Sequence, residues 1–404
     1  MKRRTFLANT LATTAAAASW RSLGSPLLGA AAPAAGKKLT VGIVGCGRMG
    51  QYYAEVYKAL PNTELVAIAE WNDERRAVVG ERFGVTALFK EVRLMLKSVV
   101  PDIVAVITPT KFMKDAVIAS ANAGVKGVST DKPIAATLSD ADAMVEACEK
   151  NKVVFAGGNL QRAKWQVQHA ARLLHSGELG KPIGAAVHGF GGEISGGGCQ
   201  HIAVLRLFLG EEVSEAIAWG EPEEALANDQ SDRGLNINGR FRMESGLECQ
   251  VYGLTREYGS PQNRSGVHVW TDDALVAWEW NSPRVYRGFD AAGKRQEIDP
   301  KYPPFPWGDI AQQAGLTRPD SYLVSSIQSF LAAVRSGSEL WISGHDLRQS
   351  LEVAVACKRS AQLGSKPVKL PLKDRSLALY PRPYRWLGGD PTGSPQSATD
   401  AAGK

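Results

Sequence analysis

The sequence predicts an α/β chain. An N-terminal parallel sheet carries helices on both faces, and a second α/β domain follows on an open, mostly antiparallel sheet. Three observations predict this. Apolar runs alternate with helical stretches from Lys38 to Gly157. The segment Leu39 to Gly50 passes from an apolar, β-branched run straight into a glycine turn. After Gly157 the alternation gives way to glycine-rich loops and short strands.

Residues 1–36 read as an export signal rather than as part of a fold. Lys2-Arg3-Arg4-Thr5-Phe6-Leu7 is a basic start with paired arginines, followed by a mildly apolar Ala/Thr stretch and small residues at Ala30–Ala32 and Ala34–Ala35. This is the layout of a twin-arginine signal, and it predicts a periplasmic or exported protein handled by the twin-arginine machinery. The apolar part is too short and too rich in Thr and Ser to span a bilayer. The segment also explains most of the charge. Of 47 basic residues, Lys2, Arg3, Arg4 and Arg21 lie here with no acid, which leaves 43 basic against 41 acidic residues. No basic stripe remains for a nucleic-acid backbone. The five cysteines are scattered, with no CxxC pair and no metal-binding spacing, so neither a zinc site nor a disulfide scaffold is expected.

The first domain is expected over 37–158. Strands are predicted at 39–44, 65–69, 103–107, 127–130 and 153–156, and helices at 50–60, 111–123 and 139–150, the last capped by Ser139 or Asp140. The turn after the first strand reads Gly45-x-Gly47-x-x-Gly50. With 41 glycines in 404 residues this pattern arises by chance about 0.4 times in such a chain, so the context decides. Here a strand precedes it, a helix follows, and the next apolar run, Leu65 to Ala69, ends in Glu70. That is a Rossmann dinucleotide-binding unit. Gly45 permits the tight turn, Gly47 lets a pyrophosphate approach, and Gly50 lets the helix pack on the strand. Arg48 and Met49 open the helix whose N-terminus would face the phosphates. Glu70 would accept the adenosine ribose hydroxyls and repel a 2′-phosphate, which favours NAD over NADP. Arg75 and Arg76 lie just beyond Glu70 and could grip a phosphate instead, but are read as a solvated first turn after Asp73.

Gly127-Val-Ser-Thr-Asp131-Lys132-Pro133 closes a later strand. A lysine at the carboxyl edge of such a sheet stands near the nicotinamide end of a dinucleotide. Burial and the ring's positive charge would both lower its pKa and suit it to take a hydroxyl proton. A Lys-Pro bond also has access to the cis form.

The second domain is expected over 159–380 and a tail over 381–404, disordered from Asp390. A helix is predicted at 163–176, strands at 247–253 and 273–280, and two closing helices near 320–335 and 345–363, with Gly364 ending the second.

These motifs resemble the glucose–fructose oxidoreductase / inositol dehydrogenase (Gfo/Idh/MocA) family. The matching segments are GIVGCGRMG at 42–50, DIVAVITPT at 102–110, AGVKGVSTDKPIA at 123–135, GELGKPI at 177–183 and the run at 343–371. The resemblance implies an NAD(P)-dependent oxidoreductase acting on a sugar, polyol or glycoside hydroxyl, with tightly held cofactor and a homo-oligomeric assembly. It maps Lys132 onto the catalytic lysine, with Asp131 where the family has glutamate. Thr108, Pro109 and Thr110 map onto the loop along the cofactor, and Gln161 and Arg162 onto a stretch framing the site. The family's Asp-x-x-x-His is altered. If His201 is the histidine, Gly197 replaces the aspartate; counting back from Leu209-Gly210, Gln200 and Gly196 hold the two positions. Glu193 is the nearest upstream acid. His201 is a catalytic candidate against a structural alternative, and His188 a weaker one. The glycine-rich loop 189–198 reads as a lid or as a slack connection. Trp165, Trp278, Trp280 and Trp307 are sugar-stacking candidates against a core or interface role. A redox-neutral glycoside hydrolase or lyase, and a non-catalytic relative, are the competing functions.

Overall fold

The structure is a computed structural model that describes residues 37–158, 160–254, 265–305, 307, 312, 316 and 322–388. The segment expected to be an export signal and the tail beyond 388 lie outside the described residues.

Two sheets organise the chain. The first holds β1 (Leu39–Val44), β2 (Thr63–Ala69), β3 (Leu88–Phe89), β4 (Ile103–Val106), β5 (Gly127–Thr130) and β6 (Val154–Gly157). All pairs are parallel, in the order β3-β2-β1-β4-β5-β6. The order reverses at β1 and β4, the crevice where such sheets bind ligands. Its helices are α1 (Arg48–Ala59), α2 (Asp73–Phe83), α3 (Val92–Ser98), α4 (Thr110–Asn122) and α5 (Leu138–Lys150). Alternate strand residues feed opposite layers, as period-2 geometry requires. Val41, Ile43, Ile103 and Ala105 meet α1 and α2, while Val44, Val104 and Val106 meet α3, α4 and α5. Thr137 caps α5 by accepting the Asp140 N–H at 3.1 Å, so the helix starts before the expected Ser139 or Asp140 cap.

The second sheet holds β7 (Pro182–His188), β8 (Val213–Glu221), β9 (Asn236–Met243), β10 (Glu248–Tyr252), β11 (Gly266–Thr271), β12 (Ala274–Trp278), β13 (Arg284–Phe289), β14 (Arg295–Ile298) and β15 (Val368–Lys369). The order is β14-β13-β12-β11-β7-β10-β9-β8-β15, with β7 and β10 parallel and the other pairs antiparallel. The remaining helices are α6 (Trp165–His175), α7 (Cys199–Leu209), α8 (Glu223–Ala227), α9 (Tyr322–Ser336), α10 (Gly344–Gln362) and α11 (Pro383–Leu387). One face of this sheet packs on α7 and α10. The opposite face leaves Trp219 and Tyr252 exposed.

Two boundaries differ from the sequence expectation. Helix α9 does not close the second domain: Leu323, Val324, Ile327, Phe330 and Leu331 pack into the layer under β1 and α1. Its apolar stripe completes the face of the first sheet that α1 and α2 leave partly open. Residues 383–387 of the expected tail, ahead of the stretch from Asp390, form a helix. Residues 377–379 pair with Ala136–Leu138, and α11 follows against α4.

Candidate active site

The glycine turn is built by close approach. Gly45 has φ 89°, and a Cβ on it would stand 2.6 Å from the Ile107 carbonyl oxygen. A Cβ on Gly50 would stand 1.9 Å from the Gly45 oxygen, so only glycine lets α1 begin this close to β1. No side chain caps α1, and no acid occupies its first turn, which leaves its N-terminal N–H groups and partial positive charge for an anion. Glu70 is buried at the end of β2. Its Oε2 accepts the Cys46 N–H at 2.7 Å, and its Oε1 accepts the Asn72 N–H at 3.0 Å. Arg75 is not a solvated residue: it lies 3.4 Å from Glu70 Oε1 and lines the same cavity. Arg76 bonds the Glu70 carbonyl at 2.8 Å and pairs with Asp73.

A cavity of about 980 Å³ opens over this turn. Gly45, Gly47, Arg48, Met49 and Glu70 form one end, and Thr108, Pro109, Thr110, Asp131 and Lys132 line it too. Thr108 Oγ1 is buried without a partner among the described residues, and it stands on this wall. A glycine cradle, an open helix N-terminus and an orphaned hydroxyl in one cleft fit a dinucleotide. Gly50 lies beneath the turn and acts through packing alone.

Lys132 follows β5, and its bond to Pro133 is cis. Its backbone N–H donates to Asp131 Oδ1 at 2.7 Å. Burial lowers the pKa of its side chain, and the Arg385 guanidinium lowers it further; the Asp131 and Glu193 carboxylates oppose them without reversing the direction. A lysine shifted this way is neutral more of the time and can accept a proton.

Other expected site residues are placed elsewhere. Arg162 is buried, donates to the Trp341 carbonyl at 2.9 Å and stands 3.3 Å from Asp346 Oδ1. Asp346 also takes Arg206 at 3.2 Å. Burial alone would raise the Asp346 pKa, but Arg162 and Arg206 outweigh it and hold the group at about 2. Arg162 thus belongs to a buried ion cluster under α7 and α10, not to the cofactor wall. Gln161 is also off the wall; its N–H donates to Gln200 Oε1 at 2.6 Å. His201 is 2% exposed among Phe190, Trp278 and Trp280, with Nε2 2.9 Å from Ser265 Oγ. Burial pushes its pKa down to about 4. The cavity does not reach it, which is the structural alternative. His188 is also pushed down to about 4, by burial first and then by His268, on the sheet rather than the cavity. Trp165, Trp307 and Trp341 form one aromatic cluster, and Trp278 is core; none of these lines the cavity.

The loop 189–198 is neither lid nor slack. Residues 194–198 wind into a widened turn that runs into α7, with Ile194, Ser195, Gly196 and Gly198 buried. Asp232 holds it by accepting the Ser195 N–H at 2.7 Å. Among the cavity-lining residues that the sequence reading missed are Tyr384 and Arg385, which line it from α11. The signal was available in Pro381-Arg-Pro-Tyr-Arg-Trp-Leu387, whose aromatic and arginine density is foreign to a solvated tail.

Residues 39–158 match the model of a family described as an oxidoreductase family with an NAD-binding Rossmann fold. The chain is 24% identical over 346 residues to D-apiose dehydrogenase of Paraburkholderia graminis, covering 81% of this chain and 89% of that protein. It is 27% identical over 342 residues to myo-inositol 2-dehydrogenase of Thermotoga maritima, covering 80% and 96%. A solved levoglucosan dehydrogenase in complex with NADH shares the fold at a TM-score of 0.69 and 20% identity, over 83% of this chain and 100% of that one. Over residues 39–158 the chain is therefore similar to the NAD-binding Rossmann domain of the Gfo/Idh/MocA oxidoreductase family.

Proposed function

We propose that this protein is an NAD-dependent oxidoreductase acting on a hydroxyl group of a sugar or polyol, with Lys132 as its acid–base group. One observation carries the reading: Lys132 lines the same cavity as the glycine turn and Glu70, with its side-chain pKa shifted downward. The two long curated matches, dehydrogenases of apiose and of myo-inositol, support the substrate class.

The roles follow from position. The N–H groups at the head of α1 would hold the pyrophosphate, and Glu70 the adenosine ribose. Thr108 Oγ1 would find its missing partner on the cofactor. Bound NAD⁺ supplies the hydride acceptor. Lys132, when neutral, takes the hydroxyl proton as the carbon loses hydride, and returns it in the reverse direction. Oxidation therefore quickens as pH rises through the Lys132 titration.

The twin-arginine motif at Lys2–Leu7 supports export of the folded protein with its nucleotide already loaded. Free nicotinamide nucleotide is not expected outside the cytoplasm, so a held cofactor would be recycled in place between two substrates. The open sheet face bearing exposed Trp219 and Tyr252 supports self-association. Sedimentation of the purified chain tests that point.

The function is tested by the reduced-nicotinamide absorbance of the purified protein before and after adding aldoses and inositols. A sugar-dependent change that Lys132→Met abolishes is the expected result. A protein with no affinity for NAD would end the reading, and bond cleavage without net cofactor change would favour a redox-neutral glycosidase.

A further inference from the structure

Glu193 and α11 make a feature that the function above does not absorb. Glu193 lies at the turn before α7 and is 6% exposed. Its Oε1 is 3.1 Å from Arg385 Nε, and its Oε2 is 3.3 Å from Arg382 Nε. Arg382 also donates its backbone N–H to Oε1 at 3.4 Å. Two guanidinium groups from the end of the chain thus converge on one buried carboxylate. Arg385 lines the cavity together with Lys132.

The carboxylate fills a specific vacancy. A Cβ on Gly196 would stand 2.9 Å from the Glu193 carboxyl carbon and 3.0 and 3.1 Å from its oxygens. Residue 196 is one of the two positions that the family resemblance assigns to an aspartate. Glu193 therefore delivers an acid to the space that a side chain at 196 would enter, from three residues upstream.

We propose that Arg385 is a positioning residue of the Lys132 site and that Glu193 is its counter-charge, the two setting the protonation of the catalytic lysine. The proposal rests on Lys132 being the acid–base group. Asp131 from its own loop and Arg385 from α11 line the cavity with Lys132, Glu193 reaches the site through its ion pair with Arg385, and Cys199 at the head of α7 is the other titratable group whose field acts on the lysine. Arg385 disfavours the ammonium form, whereas Glu193 favours it and also screens Arg385. Cys199 is itself pushed up to about 12 by burial, so it stays a thiol and holds its charge constant through neutral pH. Asp131 is common to every variant below. Removing Arg385 and removing Glu193 must then move Lys132 in opposite directions, which loss of packing alone would not do.

The experiment is competitive acylation of the full-length protein, without nucleotide or sugar, by acetic anhydride across a pH series. Peptide mass spectrometry reads the rate at Lys132. Only the neutral amine reacts, so the profile reports its titration whether or not a sugar substrate is known. Arg385→Gln is expected to move the midpoint up and slow Lys132 acylation about threefold or more at a fixed pH below it. Glu193→Gln is expected to move the midpoint down and speed acylation by a similar factor, and Arg385→Lys to stay with the wild type. If Arg385→Gln fails to fold, the sign of the Glu193→Gln shift decides alone. Shifts of the same sign in the two variants, or a folded variant whose midpoint coincides with the wild type's, would overturn the proposal. Loss of NAD affinity or of sugar oxidation with these shifts intact would instead count against the functional reading.

Discussion

Glu70 Oε2 accepts the backbone N–H of Cys46 at 2.7 Å, so the end of β2 is tied to the glycine turn after β1. The residue expected to read the cofactor ribose also holds the turn expected to bind the phosphates. Glu70→Ala leaves the buried Cys46 N–H unpaired, which costs about 1–3 kcal/mol. The melting temperature should fall and the NAD dissociation constant should rise. Arg75, freed of its carboxylate, would then face the cavity alone, so the NAD preference over NADP should narrow. Calorimetric titration with both nucleotides checks this, and an unchanged ratio would remove Glu70 from cofactor selection.

The close approach of Glu193 to residue 196 permits an exchange. Gly196→Asp alone forces two acids into one space and should disrupt the Arg382 and Arg385 pairs, at a cost of about 1–3 kcal/mol. Glu193→Ala alone leaves two arginines without their carboxylate. The double variant returns one acid to the same space and should exceed both single variants in stability and in Lys132 titration behaviour. A strictly additive double variant would mean that the two positions do not share the space.

Arg162 should prove structural. Arg162→Met strips Asp346 of one of its two guanidinium partners in a buried setting, a loss of about 3 kcal/mol. Chemical denaturation should show that loss, while the folded protein binds NAD as the wild type does. A normal denaturation curve with weakened NAD binding would restore Arg162 to the cofactor wall.

His201 predicts a pH dependence of stability. Its folded pKa is depressed from 6.5 to about 4, so the unfolded chain binds the extra proton between these values. Stability contributed by the neutral ring is therefore present above pH 6.5 and is lost as pH falls toward about 4, by up to about 3 kcal/mol. Asp232, which burial raises to about 6, runs the other way, gaining stability as pH falls from 6 toward 3.8. The measure is therefore the difference between wild type and His201→Gln across this range, which should shrink on acidification. A difference independent of pH would show that His201 is already charged in the folded protein.

Local features of this fold were legible, and distant ones were not. Strands β1, β2, β4, β5 and β6 were visible because a strand buried on both faces is a continuous apolar run. Helix α2 was missed because its sequence, DERRAVVGERF, buries only Val79, Gly80 and Phe83 and shows little periodicity. Strands of the second sheet such as β9 and β10 alternate buried with less buried positions and read weakly next to glycine loops. Within the site, Gly45, Gly47, Glu70 and Lys132 were readable because their spacing along β1, β2 and β5 carries the geometry. The roles of Arg162, His201 and Arg385 were not, since each depends on partners far away in the chain.

The sequence by itself determined the glycine turn, the acid that follows β2 and the lysine that follows β5, because strand ends and turns are fixed by short-range sterics and periodicity. Only the tertiary structure decided which charges face that lysine. It returned Arg382 to Glu193 across 189 residues, and it placed α9 in the first sheet's layer and His201 in an aromatic pocket. Such outcomes follow from burial and ion pairing, whose energies depend on what surrounds a group in space rather than along the chain.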